Sequence, residues 1–229
     1  MQINNKLTGA IVLAGSLCII TAVGVASGLN SERPRLSTIG QLDKACLKNI
    51  DDEGFGHAAL GNTNLQNESG LISVNCKIRL KAGTTLQMNN VRLETKNLLI
   101  EDASFAKRPS HIDINNSSFI SSVGGFQIKL NAPKSTVAVN GSTLSYNLSV
   151  GISVGQTDKD IATNLVVKNS TMRSKSTTSE GIVLVSIGLA TFENNHFELA
   201  DQNSKALLLG AHCNISANTN ANDTCQGSE

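Results

Sequence analysis

The sequence has no tryptophan, one tyrosine and six phenylalanines, so aromatics make up only 3% of its 229 residues. With 40% hydrophobic content the chain is still long enough to bury one real core, and that core has to be aliphatic. Charge of one sign is lacking too. Nineteen Lys and Arg against eighteen Asp and Glu leave a formal net charge of +1, which removes the electrostatic case for nucleic acid or an anionic membrane surface as the main partner. The small basic cluster Lys107-Arg108 and the acidic run Asp51-Asp52-Glu53 read as solvated loop charges. No Cys-x-x-Cys pair is present, and His57, His111, His196 and His212 show no metal-ligand spacing. No Ser-His-Asp order, glycine-rich phosphate loop or nucleotide fingerprint follows a suitable strand. No cofactor and no metal are expected.

What is present is a phrase repeated five times. Its plainest copy is Ile112-Asp-Ile114-Asn-Asn-Ser-Ser-Phe119: apolar, any, apolar, turn residues, then apolar again. It returns as Leu86, Met88, Leu93; as Val137, Val139, Leu144; as Leu165, Val167, Met172; and, with a weaker first member, as Ala190, Phe192, Phe197. The central members Met88, Ile114, Val139, Val167 and Phe192 lie 26, 25, 28 and 25 residues apart. A period of that size marks a solenoid, in which no unit buries its own apolar face and each must stack on its neighbours. Between the copies lie further alternating segments, such as Phe126-x-Ile128-x-Leu130 and Val150-x-Ile152-x-Val154. Alternation with β-branched residues is a strand signal. The expected fold is an all-β, single-stranded parallel β-helix of about five to six coils, three short strands to a coil.

The polar letters of the phrase have a mechanical reading. Asn90, Asn116, Asn140, Asn169 and Asn194 follow the central apolar residue by one or two places. Asn tolerates the left-handed region, and stacked amides can bond from coil to coil as a ladder. The sequons at several of these positions arise from the repeat itself. Ser117-Ser118, Ser142-Thr143 and Ser170-Thr171 should stack beside the amides.

Residues 8–28 form an apolar, small-residue run behind Lys6, ending in Gly24-Val25-Ala26. This reads as a signal peptide or as a single-span membrane anchor. Setting Cys18 aside leaves Cys46, Cys76, Cys213 and Cys225, an even number that favours disulfides in an exported chain. Three connectivities are open. Pairing Cys46 with Cys76 and Cys213 with Cys225 is the favoured one, because each staples one end of the solenoid. The resulting division is 1–28 signal or anchor, 29–70 linker, capping helix and loop, 71–212 β-helix, and 213–229 polar tail. The helix should start at Ser37 or Thr38 and place Ile39, Leu42 and Cys46 on one face, closing the open first coil.

The spacing, the Asn turns and the helical cap resemble the secreted right-handed parallel β-helix proteins of the pectin-lyase-like superfamily. The resemblance implies right-handed coiling and, in many members, cleavage of polysaccharides with Ca²⁺ and a basic residue or with paired carboxylates. The candidates here are thin. Asp158 and Asp160 lie two apart in a predicted loop, Lys107, Arg108 and His111 form a patch suited to an acidic sugar, and Glu101-Asp102 reads as turn chemistry. The reading that follows is a non-enzymatic, exported binding or structural protein of the cell surface or periplasm, adhesin-like, whose faces recognise a glycan or a protein partner. The alternative is a polysaccharide lyase or glycoside hydrolase.

Overall fold

The computed structural model describes residues 36–102, 107–155, 162–177, 181–201 and 206–221. The segment 8–28, Asp158, Asp160 and Cys225 lie outside the described residues. Among those described, a short helix α1 (Ile39–Lys48) precedes a parallel β-solenoid. Its first circuit is β1 (Phe55–Leu60), β2 (Thr63–Gln66) and β3 (Ser69–Ile72); the second is β4 (Asn75–Leu80), β5 (Thr85–Asn89) and β6 (Arg92–Thr95). The third is β7 (Leu98–Asp102), β8 (His111–Asn115) and β9 (Ser118–Ser121), and the fourth β10 (Phe126–Leu130), β11 (Thr136–Asn140) and β12 (Thr143–Tyr146). The fifth is β13 (Val150–Val154), β14 (Asn164–Lys168) and β15 (Thr171–Ser174). In the sixth, β16 (Ile182–Glu193) runs through the corner that interrupts the other circuits, and β17 (His196–Glu198) follows. β18 (Leu207–Ser216) then pairs along β16.

Stacked strands make three faces. The first and second merge through β16 into one twelve-stranded sheet, and the third is a separate six-stranded sheet. Every pairing between named strands is parallel, and the register places the repeated phrase as expected: Leu65, Met88, Ile114, Val139, Val167, Phe192 and Ile215 form one column on the second face. All of these but Ile215 are buried. Each such side chain contributes about 1.5–3 kcal/mol of burial free energy, which is why the period is so clear in the sequence. Phe119, Phe126, Tyr146, Phe192 and Phe197 are buried inside. Phe126 meets Phe119 edge-on at 5.7 Å and Tyr146 at 5.5 Å between ring centres.

The solenoid is longer than the repeat alone implies. Residues 50–70, expected to be loop, include β1, β2 and part of β3; the phrase is hidden there because inward positions are held by Gly56, Ala58, Thr63 and Gly70. Small residues are required at that end. A Cβ on Gly56 would stand 2.4 Å from the Cys46 carbonyl oxygen, and one on Gly70 would stand 2.9 Å from Ile39 Cγ2, so the two glycines make the space in which α1 lies. The helix begins at Thr38, whose hydroxyl accepts the Gln41 N–H, and buries Ile39, Leu42 and Cys46. Two links hold it down. Cys46 is bonded to Cys76 of β4, and Asp43 accepts from the Ser73 N–H and hydroxyl at 2.8 and 2.9 Å. At the other end, β18 carries the sheet through residue 216, into the segment expected to be polar tail.

The corner between the second and third faces explains the polar letters. Asn67, Asn90, Asn116, Gly141, Asn169, Asn194 and Ala217 all have φ between 49° and 58°. Asn90 bonds to Asn67, Asn194 to Asn169, and Asn169 to Asn140, at 3.1, 2.9 and 3.2 Å. Asn140 differs from its expected place. Gly141 takes the left-handed position, and Asn140 stands one residue earlier, in the column of Asn89 and Asn115. The next column inward does what the amides were expected to do for buried backbone. The N–H groups of Val91, Ser117, Ser142, Ser170 and Asn195 donate to side-chain oxygens of Ser117, Ser142, Ser170, Asn195 and Asn218, each on the following circuit, at 3.0–3.2 Å.

Candidate ligand-binding face

On the outer side of the second face, β2, β5, β8 and β11 present three columns, the members of each about 4.8 Å apart from strand to strand. The first holds Thr85, His111 and Thr136, with Asn62 just ahead of β2. The middle column is Asn64, Gln87, Asp113 and Ala138, and the last is Gln66, Asn89, Asn115 and Asn140. None of these positions is Lys or Arg. Strand alternation dictates the pattern, since every neighbour of these residues points into the core.

Most of the outer two columns is tied up within the fold, the side chains of Gln66 and Thr85 excepted. Asn62 Oδ1 accepts the Thr85 N–H at 2.9 Å, His111 Nδ1 meets Thr136 Oγ1 at 2.8 Å, and Asn115 donates to Asn89 at 3.1 Å. The middle column is different. Among the described residues, no hydrogen bond or ion pair occupies the side chains of Asn64, Gln87 and Asp113. Their amides and carboxylate stand in line along the solenoid axis between two rigid rows. At one end the face deepens into a depression lined by Leu36, Ser37, Asn62, Asn64, Thr85 and Gln87.

The residues singled out in the sequence fall in several places. His111 belongs to this face, while Lys107 and Arg108 are exposed at the corner leading into β8, where Arg108 lies over Gly83 of the circuit before. His111 bonds sideways to Thr136, so the three do not form one anion site. Glu101 pairs with Arg79 at 3.1 Å on the first face. Asp102 is not a turn residue: it points inward in the column of Leu80 and Leu130, where its carboxylate accepts the N–H groups of Asn131 and Ala132. Burial pushes its carboxyl up, against those backbone hydrogen bonds.

Other acid–base pairs close corners or link circuits. His57 bonds to Asp51 at 2.6 Å, holding that carboxyl below the usual range while Asp51 also accepts the Phe55 N–H. Arg173 bonds to Glu198 at 2.5 Å and lowers it in the same way, with His196 3.4 Å from the other oxygen. Among the described residues, no three His, Cys, Asp or Glu side chains are grouped to hold a metal ion. The middle column leaves no mark in the sequence, because an outward polar residue in an alternating strand looks the same whether it is idle or functional; only the bonding of its neighbours separates the two.

The Cys46–Cys76 disulfide fits an oxidising compartment, and Cys213 is disulfide-bonded as well, its expected partner Cys225 lying outside the described residues. No helix among the described residues is long and apolar enough to cross a membrane. No protein-family model, no curated protein and no solved structure matches the chain.

Proposed function

We propose that this chain is an exported, non-enzymatic binding protein of the cell surface or periplasm that recognises an uncharged glycan on the outer side of its second face. The observation that carries the reading is the row Asn64, Gln87 and Asp113, which has no partner among the described residues and is flanked by Asn62, His111, Thr136, Asn89 and Asn115, all held in hydrogen bonds of the fold. Amides and carboxylates in a fixed row can each donate to or accept from sugar hydroxyls with little loss of freedom on binding, because the sheet already fixes their backbones. The absence of Lys and Arg from these columns on β2, β5, β8 and β11 disfavours an acidic chain and suits a neutral one, and Lys168 on the adjoining β14 is paired with Glu193. The likeness in architecture to secreted pectin-lyase-like β-helices, right-handed and often carbohydrate-directed, supports the same class of ligand.

A glycan-array screen with the full chain tests this. Binding to neutral oligosaccharides is expected, and Gln87→Ala with Asp113→Ala should weaken it about ten-fold or more, the loss that follows removal of central polar contacts. Failure to bind any glycan removes the proposal. Release of unsaturated or reducing products from a polysaccharide would replace it with the lyase or hydrolase alternative.

A further inference from the structure

The first face carries a second surface of different chemistry. Ahead of β10 and within β13, the outward positions are Gly125 and Gly151, where neighbouring circuits place Asn97 and Gln127. With no side chains there, the floor is backbone: a Cβ on Gly125 would lie 3.0 Å from the Ser149 carbonyl oxygen. Around that recess stand Phe55, Leu99, Gln127 and Leu148. Leu148 is 51% exposed and Val123, on the neighbouring corner, 61%. In a chain with so few aromatics, Phe55 is placed where it lines an outside groove instead of the core.

The rim is cationic. Lys77 Nζ sits 5.8 Å from the centre of the Phe55 ring, Lys129 is exposed in the sheet register, and Lys96 is exposed at the corner ahead of β7. None of the three pairs with a carboxylate among the described residues, and Glu101, the one acid displayed on these strands, is already taken by Arg79. An apolar recess with unpaired cations beside it is complementary to an apolar side chain carried on an acidic chain. The acidic turn at 51–53 adjoins Phe55 at one end, so the partner's carboxylates are directed the other way, toward Lys129.

We infer that this groove docks an acidic segment of a protein partner, anchored by one large apolar side chain. It acts independently of the second face. A neutral glycan would leave the lysines without a role, and a basic segment would be repelled by them.

The test is fluorescence anisotropy with the full chain and a labelled peptide bearing three acidic residues on each side of a central phenylalanine. Saturable binding is expected, falling about ten-fold or more when the central residue is glycine, when Leu99→Ser or Leu148→Ser is introduced, or when Lys77→Gln and Lys129→Gln are combined. Binding should also weaken as salt rises. These side chains point outward, so unchanged melting of the variants is expected, and Gln87→Ala on the other face should leave the peptide affinity as it was. No binding, equal binding of the glycine peptide, or equal binding of a peptide with lysines replacing the acids overturns the inference. So does a doubled mass in sedimentation that Leu148→Ser abolishes, which would assign the groove to a second copy, or displacement of the peptide by a neutral oligosaccharide.

Discussion

Tyr146 reaches along the stack to Thr95, two circuits away, with its phenol oxygen 3.3 Å from Thr95 Oγ1. The column between them explains how: Thr95, Ser121, Tyr146 and Ser174 stack on the third face, and the small residues leave the volume that the ring fills. Ser121 lies between the two in the stack and turns its hydroxyl to the Lys96 carbonyl, clearing the way.

The first prediction concerns that phenol. Burial pushes its ionisation well above the ordinary value near 10, and the bond to Thr95 offsets this only in part. The folded protein therefore keeps its proton where the unfolded chain loses it, and stability falls as pH rises above the unfolded value of about 10. With one tyrosine and no tryptophan in the chain, ultraviolet absorbance reads this residue alone. Tyrosinate should appear only together with loss of the β signal in circular dichroism; a smooth titration near pH 10 in the folded protein would contradict the placement. Tyr146→Phe should cost about 1 kcal/mol.

A second prediction follows from Asp102. Its carboxyl is raised by burial, so as pH falls the folded state takes up this proton before the unfolded chain does. This group therefore adds stability on acidification, between its folded value and the unfolded value of about 3.9. Asp102→Asn should remove that slope, as seen in urea midpoints measured at several pH values. Asp102→Leu matches the rest of the column yet should destabilise, because the Asn131 and Ala132 N–H groups are left without an acceptor at roughly 1–3 kcal/mol each.

How much of this was legible in the sequence depends on how much free energy each column carries. Met88, Ile114, Val139, Val167 and Phe192 are large, buried and regularly spaced, so their stacking could be read directly; α1 could be read with its cap narrowed to Ser37 or Thr38, and Cys46–Cys76 as the favoured of three connectivities. The first circuit could not, because the overlying helix demands Gly56 and Gly70 where the repeat wants large aliphatics. Asp102 could not, because its role depends on a turn thirty residues on in the next circuit. On the second face His111 stands out in the sequence as a histidine, whereas Asn64, Gln87 and Asp113 are distinguished only by what they do not bond to.

The inner corner ladder gives a third prediction. Ser142 accepts the Ser117 N–H and donates back to Asn140, both buried or nearly so. Ser142→Ala leaves that N–H unpaired and should cost about 1–3 kcal/mol. Gly141 beside it has φ 58°, and a Cβ there would stand 2.6 Å from Asn116 Oδ1. Gly141→Ala should cost about 1–2 kcal/mol for the left-handed conformation alone, plus the contact. Combining it with Asn116→Ala removes the contact, so the double variant should be more stable than the sum of the single losses. Strict additivity in urea unfolding would show that the two residues do not touch.

The last prediction concerns the cap. The Cys46–Cys76 bond closes a separation of 30 residues and ties α1 past Gly56 to the second circuit. Chain-entropy arguments put such a bond at about 3–4 kcal/mol, if the reduced chain loses all order in the loop. Here it does not have to. Reduction frees the helix, but β4 remains paired with β7, and the rest of the solenoid is held by its own stacked contacts. Combined Cys46→Ser and Cys76→Ser should therefore lower protection from hydrogen exchange chiefly in α1 and in β1 to β3, while Ile128, Ile152 and Leu184 deep in the stack keep theirs. Uniform loss of protection along the whole chain would mean that the end plug and the coils unfold as one unit, against the nearest-neighbour behaviour expected of a solenoid.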